Sequence, residues 1–192
     1  MPVIAFTSQQ AWDSWLASQP AHSEGVWLKL AKKSAAVASV SKAEAIDVAL
    51  CHGWIDAQLN SFDEKYWLVR FTPRQPNSRW SKKNRDRALE LVESGRMRPA
   101  GAKEIERAQK DGRWAVAYAS QSAAEIPNDL GAALAKNKKA ASFFETLDRA
   151  NRYAILYRIH NAKKPETRVA RIKAFVAMLA AGETIHPRKS KR

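Results

Sequence analysis

Apolar residues recur along the first part of the chain at the spacings of regular secondary structure. Trp12, Trp15 and Leu16 stand at i, i+3 and i+4, as on one face of a helix, and Thr7 or Ser8 precedes them as a cap. A β-rich composition and a capping-box spacing predict two further elements. These are a strand over residues 26–32 and a helix over residues 41–53.

Two later runs alternate apolar and polar residues, as half-buried strands do. They cover residues 55–60 and 67–72, and they predict a hairpin with a loop over residues 62–64. The register is fixed by placing both apolar sets on one face. The resulting cross-strand pairs are Leu59 with Trp67, Ala57 with Val69, and Asp56 with Arg70 on the polar face.

After Pro73 the pattern is helical to the end of the chain. Ser81 caps a predicted helix that Gly95 stops, and residues 101–110 form a shorter one. Four further helices are expected near Leu130, near Phe144, near Leu156, and from Pro165 to Gly182. The elements together predict an α+β fold, in which a small three-stranded antiparallel sheet packed with helices precedes a C-terminal helical bundle.

Composition shifts divide the chain into three segments. We expect an N-terminal α+β domain over residues 1–119, a helical domain over residues 126–182 and a basic tail over residues 183–192. Small polar residues over positions 120–125 are typical of a linker.

Charge is concentrated toward the C-terminus. The 192 residues carry a formal net charge of +14, and residues 126–192 hold 15 Lys/Arg against 5 Asp/Glu. Such a field can attract nucleic acid or an acidic partner, or it can belong to a solvated helical surface. Because the segment has no recognisable reader motif, nucleic-acid contact there would be electrostatic and non-specific.

Several classes of protein do not fit the sequence. No run of about 18 apolar residues is present, so no membrane span is expected. The first residues lack a basic stretch followed by an apolar one, and Cys51 is the single cysteine, which excludes an internal disulfide. We expect a cytoplasmic protein without a metal or cofactor, and the sequence does not specify an oligomeric state.

Five sequence boxes occur together and in order. They are CHGWID at 51–56, PRQPNSRWSKKN at 73–84, GRMRPAG at 95–101, DGRW at 111–114 and KPETR at 164–168. Over nearly its whole length the chain resembles the bacterial YdeI/OmpD-associated proteins, also called bacteriocin-protection proteins. The resemblance implies an N-terminal α+β region and a C-terminal helical region. It also implies a role in protection against bacteriocins or an association with the envelope.

The adjacent Cys51 and His52 raise the question of catalysis. A thiol nucleophile needs a base within hydrogen-bond reach. Neighbouring residues on a helix point about 100° apart, so Cys51 and His52 do not face each other. Cys51 therefore fits a small buried hydrophobe better. His52 fits either an acid/base in a site or a hydrogen-bonding group that ties the helix end to the sheet.

A stronger physical argument predicts an anion site. Arg74 and Arg79 stand just before the helix that Ser81 begins, and helix N-termini attract negative charge. Guanidinium groups bind phosphate or carboxylate through two parallel hydrogen bonds, while Trp80 could stack on a ligand and Asn84 could donate to it. The alternative is an internal network in which the arginines pair with carboxylates and Trp80 is buried.

The favoured interpretation is a binding protein whose cleft takes a small anionic ligand or an acidic protein partner. The competing hypothesis is an enzyme acting on a small anionic substrate with His52 as acid/base. A third is non-specific nucleic-acid binding by the basic C-terminal helices. The residues assigned to the cleft are His52, Trp54, Asp56, Arg70, Arg74, Arg79, Trp80 and Asn84.

Overall fold

The structure is a computed structural model that describes residues 1–20, 22–119 and 124–187. The chain divides into two compact units, Met1–Ala117 and Tyr118–Arg192. Most of the predicted linker and the end of the predicted basic tail, residues 188–192, lie outside the described residues.

Each unit has its own set of elements. The N-terminal unit contains β1 (Val3–Ala5), α1 (Gln9–Ala17), β2 (Val26–Ala31), α2 (Lys42–Cys51), β3 (Trp54–Ser61), β4 (Tyr66–Pro73), α3 (Lys82–Glu93) and α4 (Pro99–Lys110). The C-terminal unit contains α5 (Asn128–Ala135), α6 (Lys138–Glu145), α7 (Arg149–His160) and α8 (Pro165–Ala180). The predicted α+β class is confirmed.

Side-chain caps begin the helices where the sequence places them. The Ser8 hydroxyl accepts from the Ala11 amide at 3.2 Å. Ser41 and Glu44 form the reciprocal capping box at the start of α2, with distances of 3.3 and 2.9 Å. Gly53, at a φ of +73°, ends α2 in the left-handed conformation that favours glycine. These predictions are confirmed because a cap depends on residues only three positions apart.

The sheet has four strands in the order β1-β2-β4-β3, so the prediction of three antiparallel strands was incomplete. The additional strand, β1, runs parallel to β2, with Val3 beside Trp27. The Trp27 amide continues this ladder by donating to the Pro2 carbonyl at 2.9 Å. A three-residue strand is too short to produce a recognisable alternation, which is why the pattern did not predict it.

The hairpin register also differs from the predicted one. Leu59 lies opposite Val69, and Asp56 lies opposite Phe71. Since directly opposed residues share a face of the sheet, Asp56 and Arg70 project to opposite faces. The predicted Asp56–Arg70 pair, and the pairs of Leu59 with Trp67 and of Ala57 with Val69, are therefore wrong.

The turn and a bulge explain the shift in register. The Asp63 carboxylate accepts hydrogen bonds from the amides of Lys65 and Tyr66, at 2.8 and 2.7 Å, and so closes the turn. Between Asp56 and Leu59, β3 has one more residue than β4, which is a β-bulge. Leu59 lies on an edge strand and is 54% exposed, although its apolar character suggested burial.

One face of the sheet is buried beneath α1 and α2, and its core is centred on Trp12. The Trp12 indole is fully buried and donates to the Ala45 carbonyl of α2 at 3.1 Å. Its ring contacts Phe6, Trp15 and Phe71, with centroid distances of 5.3, 5.4 and 5.4 Å. This aromatic cluster fixes α1 against both the sheet and α2.

Two of the sequence boxes meet where α4 packs against the end of α2. A Cβ atom on Gly101 would lie 2.5 Å from the carbonyl oxygens of both Leu50 and Cys51. A Cβ atom on Gly53 would lie 2.9 Å from the Ala100 carbonyl. The glycines of CHGWID and GRMRPAG therefore allow a close backbone approach between the two helices.

Polar contacts connect the helices of the C-terminal unit. Arg168 binds the Asp129 carboxylate with both Nε and Nη2, at 2.5 and 2.9 Å, and also donates to the Ile159 carbonyl at 3.0 Å. The hydrogen bonds from Arg168 hold the pKa of Asp129 below its ordinary value. The arginine of the KPETR box thus joins α8 to α5 and α7. Among the described residues, none of the helices has the length and apolarity that crossing a membrane requires.

Candidate functional site

A cavity of about 640 Å³ lies between α1, α2 and the turn that leads into α4. Three segments that are far apart in sequence form its wall. Its lining residues are Gln9, Gln10, Asp13, Val48, Cys51, Gly95, Arg96, Met97, Arg98 and Pro99. Two arginines and one aspartate give this lining a formal charge of +1.

Local sequence signals position the two arginines. Gly95, at a φ of +69°, ends α3, and Pro99 begins α4. The amides of Arg96 and Met97 both donate to the Leu91 carbonyl at 3.0 Å, which fixes the turn between the helices. The GRMRPAG box therefore places its two arginines in a short, hydrogen-bonded bend instead of on a helix face.

Asp13 joins the side chains of His52 and Arg98 at the edge of the cavity. Its Oδ1 atom lies 2.9 Å from Nε2 of His52, and its Oδ2 atom accepts from Nη2 of Arg98 at 2.5 Å. Burial is the largest single effect on the carboxyl and opposes its ionisation. The hydrogen bonds from His52 and Arg98 together outweigh burial and lower the pKa of Asp13. The His52 side chain is only 8% exposed, so this contact fixes its ring.

The lowered pKa of Asp13 predicts how acid affects stability. The carboxylate is favoured in the folded state over the unfolded chain, where its pKa is near the ordinary 3.8. Its contribution is therefore complete above that pH and is lost as the pH falls through the lower folded value. We expect Asp13→Asn to lower the free energy of unfolding by about 1–2 kcal/mol near neutral pH. In urea titrations, this difference from the wild type should shrink as the pH falls below the ordinary 3.8; a pH-independent difference would contradict the role given to the carboxylate.

Arg96 is the more loosely held of the two cavity arginines. Its side chain is 42% exposed, and Nη1 lies 3.7 Å from Oδ2 of Asp47. Asp47 also receives two hydrogen bonds from Arg87, through Nε at 2.7 Å and through Nη2. Because Arg87 already engages both oxygens of that carboxylate, Arg96 retains donors that can reach a ligand.

The thiol in the cavity wall is not activated. Cys51 is buried, and burial raises its pKa above the ordinary value, so it stays protonated at neutral pH. The expectation of a small buried side chain is confirmed. Within residues 1–20, 22–119 and 124–187, no group of three His, Cys, Asp or Glu side chains could hold a metal ion.

The centre of the predicted anion loop is packed into the interior. The Arg74 guanidinium stacks on Trp80, with its carbon 3.5 Å from the ring centroid, and donates to the Arg79 carbonyl at 3.3 Å. Arg74 is 5% exposed and Trp80 is 2% exposed. Trp114 packs edge-on against Trp80 at 4.8 Å. Trp80 is therefore buried, as the alternative interpretation of this loop expected.

Arginines from outside the loop bind two of its backbone carbonyls. Arg107 donates to the Gln75 carbonyl at 3.0 Å, and Arg113 donates to the Ser78 carbonyl at 2.5 Å. Arg113 belongs to the DGRW box and also bonds to Asp111 at 2.8 Å. Much of the positive charge near this loop therefore holds the loop in place.

The other predicted site residues lie in separate environments. Trp54 is buried with its ring edge toward Trp15, at 6.1 Å between centroids. Asp56 lies 4.0 Å from the Lys42 ammonium. The backbone N–H of Asn84 donates to the Ser81 hydroxyl at 3.1 Å, as part of the helix cap. The structure brings Arg74, Arg79 and Trp80 together, but it places His52, Asp56 and Arg70 elsewhere.

Comparison with known families gives two matches. Residues 4–104, just over half of the chain, match a domain of unknown function, DUF8412. Residues 123–182 match the family described as Bacteriocin-protection, YdeI or OmpD-Associated. The chain belongs to the DUF8412 family and carries a YdeI/OmpD-associated domain. The resemblance to the YdeI/OmpD-associated proteins is thereby confirmed over residues 123–182, which contain the KPETR box. Neither a curated protein nor a solved structure matches the chain.

Every residue that lines the cavity lies within the DUF8412 match. Asp13, Arg96 and Arg98 were not predicted as site residues, although the GRMRPAG box that contains both arginines was recognised. The usable signal was a pair of arginines between a helix-stopping glycine and a helix-starting proline. Asp13 gave no comparable signal, because its partners stand 39 and 85 positions away.

Proposed function

We propose that this YdeI/OmpD-associated protein is a binding protein whose cavity takes a small ligand with a carboxylate or phosphate group. The observation that carries the proposal is the position of Arg96 and Arg98 together in a lining of formal charge +1. Guanidinium groups match the geometry of planar carboxylates and of phosphates. Gln9 and Gln10, also in the lining, supply uncharged donors that can orient the rest of a ligand.

The state of the cavity's reactive groups favours binding over catalysis. Nε2 of His52 is engaged with Asp13, and Cys51 is held as the neutral thiol. An enzyme with a cysteine nucleophile would need a base at hydrogen-bonding distance from the thiol. In our proposal His52 positions Asp13, which in turn orients Arg98 toward the cavity.

The family description suggests the biological setting. We propose that ligand binding serves protection against bacteriocins, and that the protein acts in the cytoplasm. Cys51 is a free thiol, a form that a reducing compartment preserves. We propose the anion site at the GRMRPAG bend, and not at Arg74 and Arg79, where the sequence suggested it.

A thermal-shift screen of small carboxylates and phosphate esters tests the proposal. A ligand that binds only the folded state at 100 times its Kd stabilises by about 2.7 kcal/mol, so a true ligand raises the melting temperature of the wild type. Arg96→Gln should reduce this stabilisation to about half or less, because a tenfold weaker Kd leaves about 1.4 kcal/mol. Lys83→Gln, which removes the same charge from an exposed position on α3, should preserve it. An equal shift in all three proteins would show that the ligand binds outside the cavity.

A further inference from the structure

The sheet of the N-terminal unit has two unlike faces. Val26, Leu28 and Leu30 of β2 are buried against the helices, whereas the alternate residues Trp27 and Lys29 remain partly exposed. On β4, Val69 and Phe71 are in the core, whereas Tyr66 and Arg70 on the other side are partly exposed and Leu68 between them is buried. A chemically distinct, partly open face therefore lies opposite the helices.

Aromatic and basic side chains alternate across this open face. The register puts Trp27 directly opposite Arg70, and Ala31 directly opposite Tyr66. Lys29 lies between these two rows, with its ammonium 4.4 Å from the ring centroid of Phe62 and 5.8 Å from that of Tyr66. Phe62, in the hairpin loop, is 46% exposed.

Two further lysines stand at the end of this ladder. The Lys32 amide donates to the Lys65 carbonyl at 2.8 Å, which extends the β2–β4 ladder by one step. Because side chains alternate along a strand, Lys32 and its opposed Lys65 project to the face that Leu30 shares. Lys29 and Arg70 therefore supply the positive charge of the open face among residues 26–31 and 66–73.

Arg70 is a cation that the fold itself does not neutralise. Counting partners only among the described residues, its Nε atom is buried without a hydrogen bond, and the guanidinium forms no ion pair. By contrast, most other arginines of Met1–Ala117 bind carboxylates or backbone carbonyls. An uncommitted guanidinium beside a partly open indole ring is suited to a ligand that combines negative charge with flat rings.

We propose that this face binds single-stranded nucleic acid, with bases stacked on Trp27 and Tyr66 and with phosphates held by Arg70 and Lys29. Stacking on aromatic residues of an open sheet, combined with a basic track for the backbone, is a general way of binding single strands. Tyr66 opposes a residue four positions along β2 from Trp27, which separates the two rings by about 13 Å along the strand direction. They would therefore receive non-adjacent bases of one strand.

This proposal is independent of the anion cavity and differs from nucleic-acid binding by the C-terminal helices. In the C-terminal unit, Arg168 and Arg171 donate to the carbonyls of Ile159 and Arg158, so part of that charge supports helix packing. An acidic peptide could neutralise Lys29 and Arg70 of the sheet face, but it would leave the aromatic rings unused. The aromatic residues therefore favour nucleic acid over an acidic protein at this face.

Fluorescence anisotropy of the full chain with a fluorescein-labelled oligo(dT) tests the proposal. The wild type should bind, and with about two phosphates contacted the logarithm of affinity should fall against the logarithm of salt with a slope of about −1.4. Trp27→Ala and Tyr66→Ala should each weaken binding about tenfold. Trp27→Leu, which keeps apolar bulk but removes the ring, should do the same if Trp27→Ala unfolds. Arg70→Gln should reduce the slope by about 0.7.

The control variant is Arg158→Gln/Arg171→Gln, which removes two charges from the C-terminal unit and should leave the affinity unchanged. Polyglutamate at the same charge concentration should displace the oligonucleotide poorly. Absence of binding by the wild type would overturn the proposal. So would full affinity in folded Trp27→Leu and Tyr66→Ala, a loss of binding confined to the C-terminal control, or equal displacement by polyglutamate.

Discussion

Gly101→Ala should destabilise the N-terminal unit by about 3 kcal/mol, although alanine is ordinarily the better helix former. The added methyl group would lie 2.5 Å from the carbonyl oxygens of Leu50 and Cys51, so α4 could keep its helix only by moving away from α2. All seven tryptophans lie in Met1–Ala117, so denaturant unfolding followed by tryptophan fluorescence reports this unit.

Gly131→Ala is the matched control for this prediction. Gly131 also lies within a helix, α5, and the nearest atom to its added Cβ would be an Ile126 methyl at 4.0 Å. With space available, the helix propensity of alanine should stabilise by up to about 1 kcal/mol, measured by far-UV circular dichroism. If both substitutions stabilised the protein, the close packing of α4 on α2 would be refuted.

Trp12→Ala should cost about 3–5 kcal/mol, the range for deleting a large buried aromatic side chain. The indole touches Phe6, Trp15 and Phe71 and donates a hydrogen bond to Ala45, so its loss leaves a cavity at the junction of α1, α2 and the sheet. Asp13 follows on the same helix, so a displaced α1 would also disturb the Asp13–Arg98 contact. Equilibrium unfolding in urea measures the loss.

Trp12→Phe separates packing from the hydrogen bond. Phenylalanine keeps most of the apolar contact but cannot donate to Ala45, so we expect an intermediate loss of about 1–2 kcal/mol. A loss equal to that of Trp12→Ala would mean that the hydrogen bond, and not the aromatic cluster, holds α1 in place.

Local signals predicted most of the helices because their information lies within a few residues. Ser41 and Glu44 identify the start of α2, and Gly53 identifies its end, through contacts that the sequence spacing already specifies. The alternation of apolar and polar residues was not enough to predict the hairpin register. One carboxylate, Asp63, closes the turn, and one extra residue in β3 then moves Asp56 from the expected face to the other.

The site was less predictable because its residues meet only after folding. Asp13 contacts Arg98 across 85 positions, and no local period encodes that meeting. The arginine-rich loop was identified correctly as unusual, but composition could not tell whether Arg74 would face a ligand or stack on Trp80. Burial decides between these outcomes, and burial depends on how α3, α4 and the loop pack together.

The most direct test of the account compares two arginines by isothermal titration calorimetry. The titrant is the carboxylate or phosphate ester that most stabilises the wild type. If the GRMRPAG bend forms the anion site, Arg96→Gln should weaken binding tenfold or more, the effect of losing a charged hydrogen bond of about 1.5–3 kcal/mol. Arg79→Gln, in the loop that the sequence favoured, should leave Kd within about twofold. The reverse result, with Arg79→Gln losing affinity and Arg96→Gln retaining it, would contradict the account.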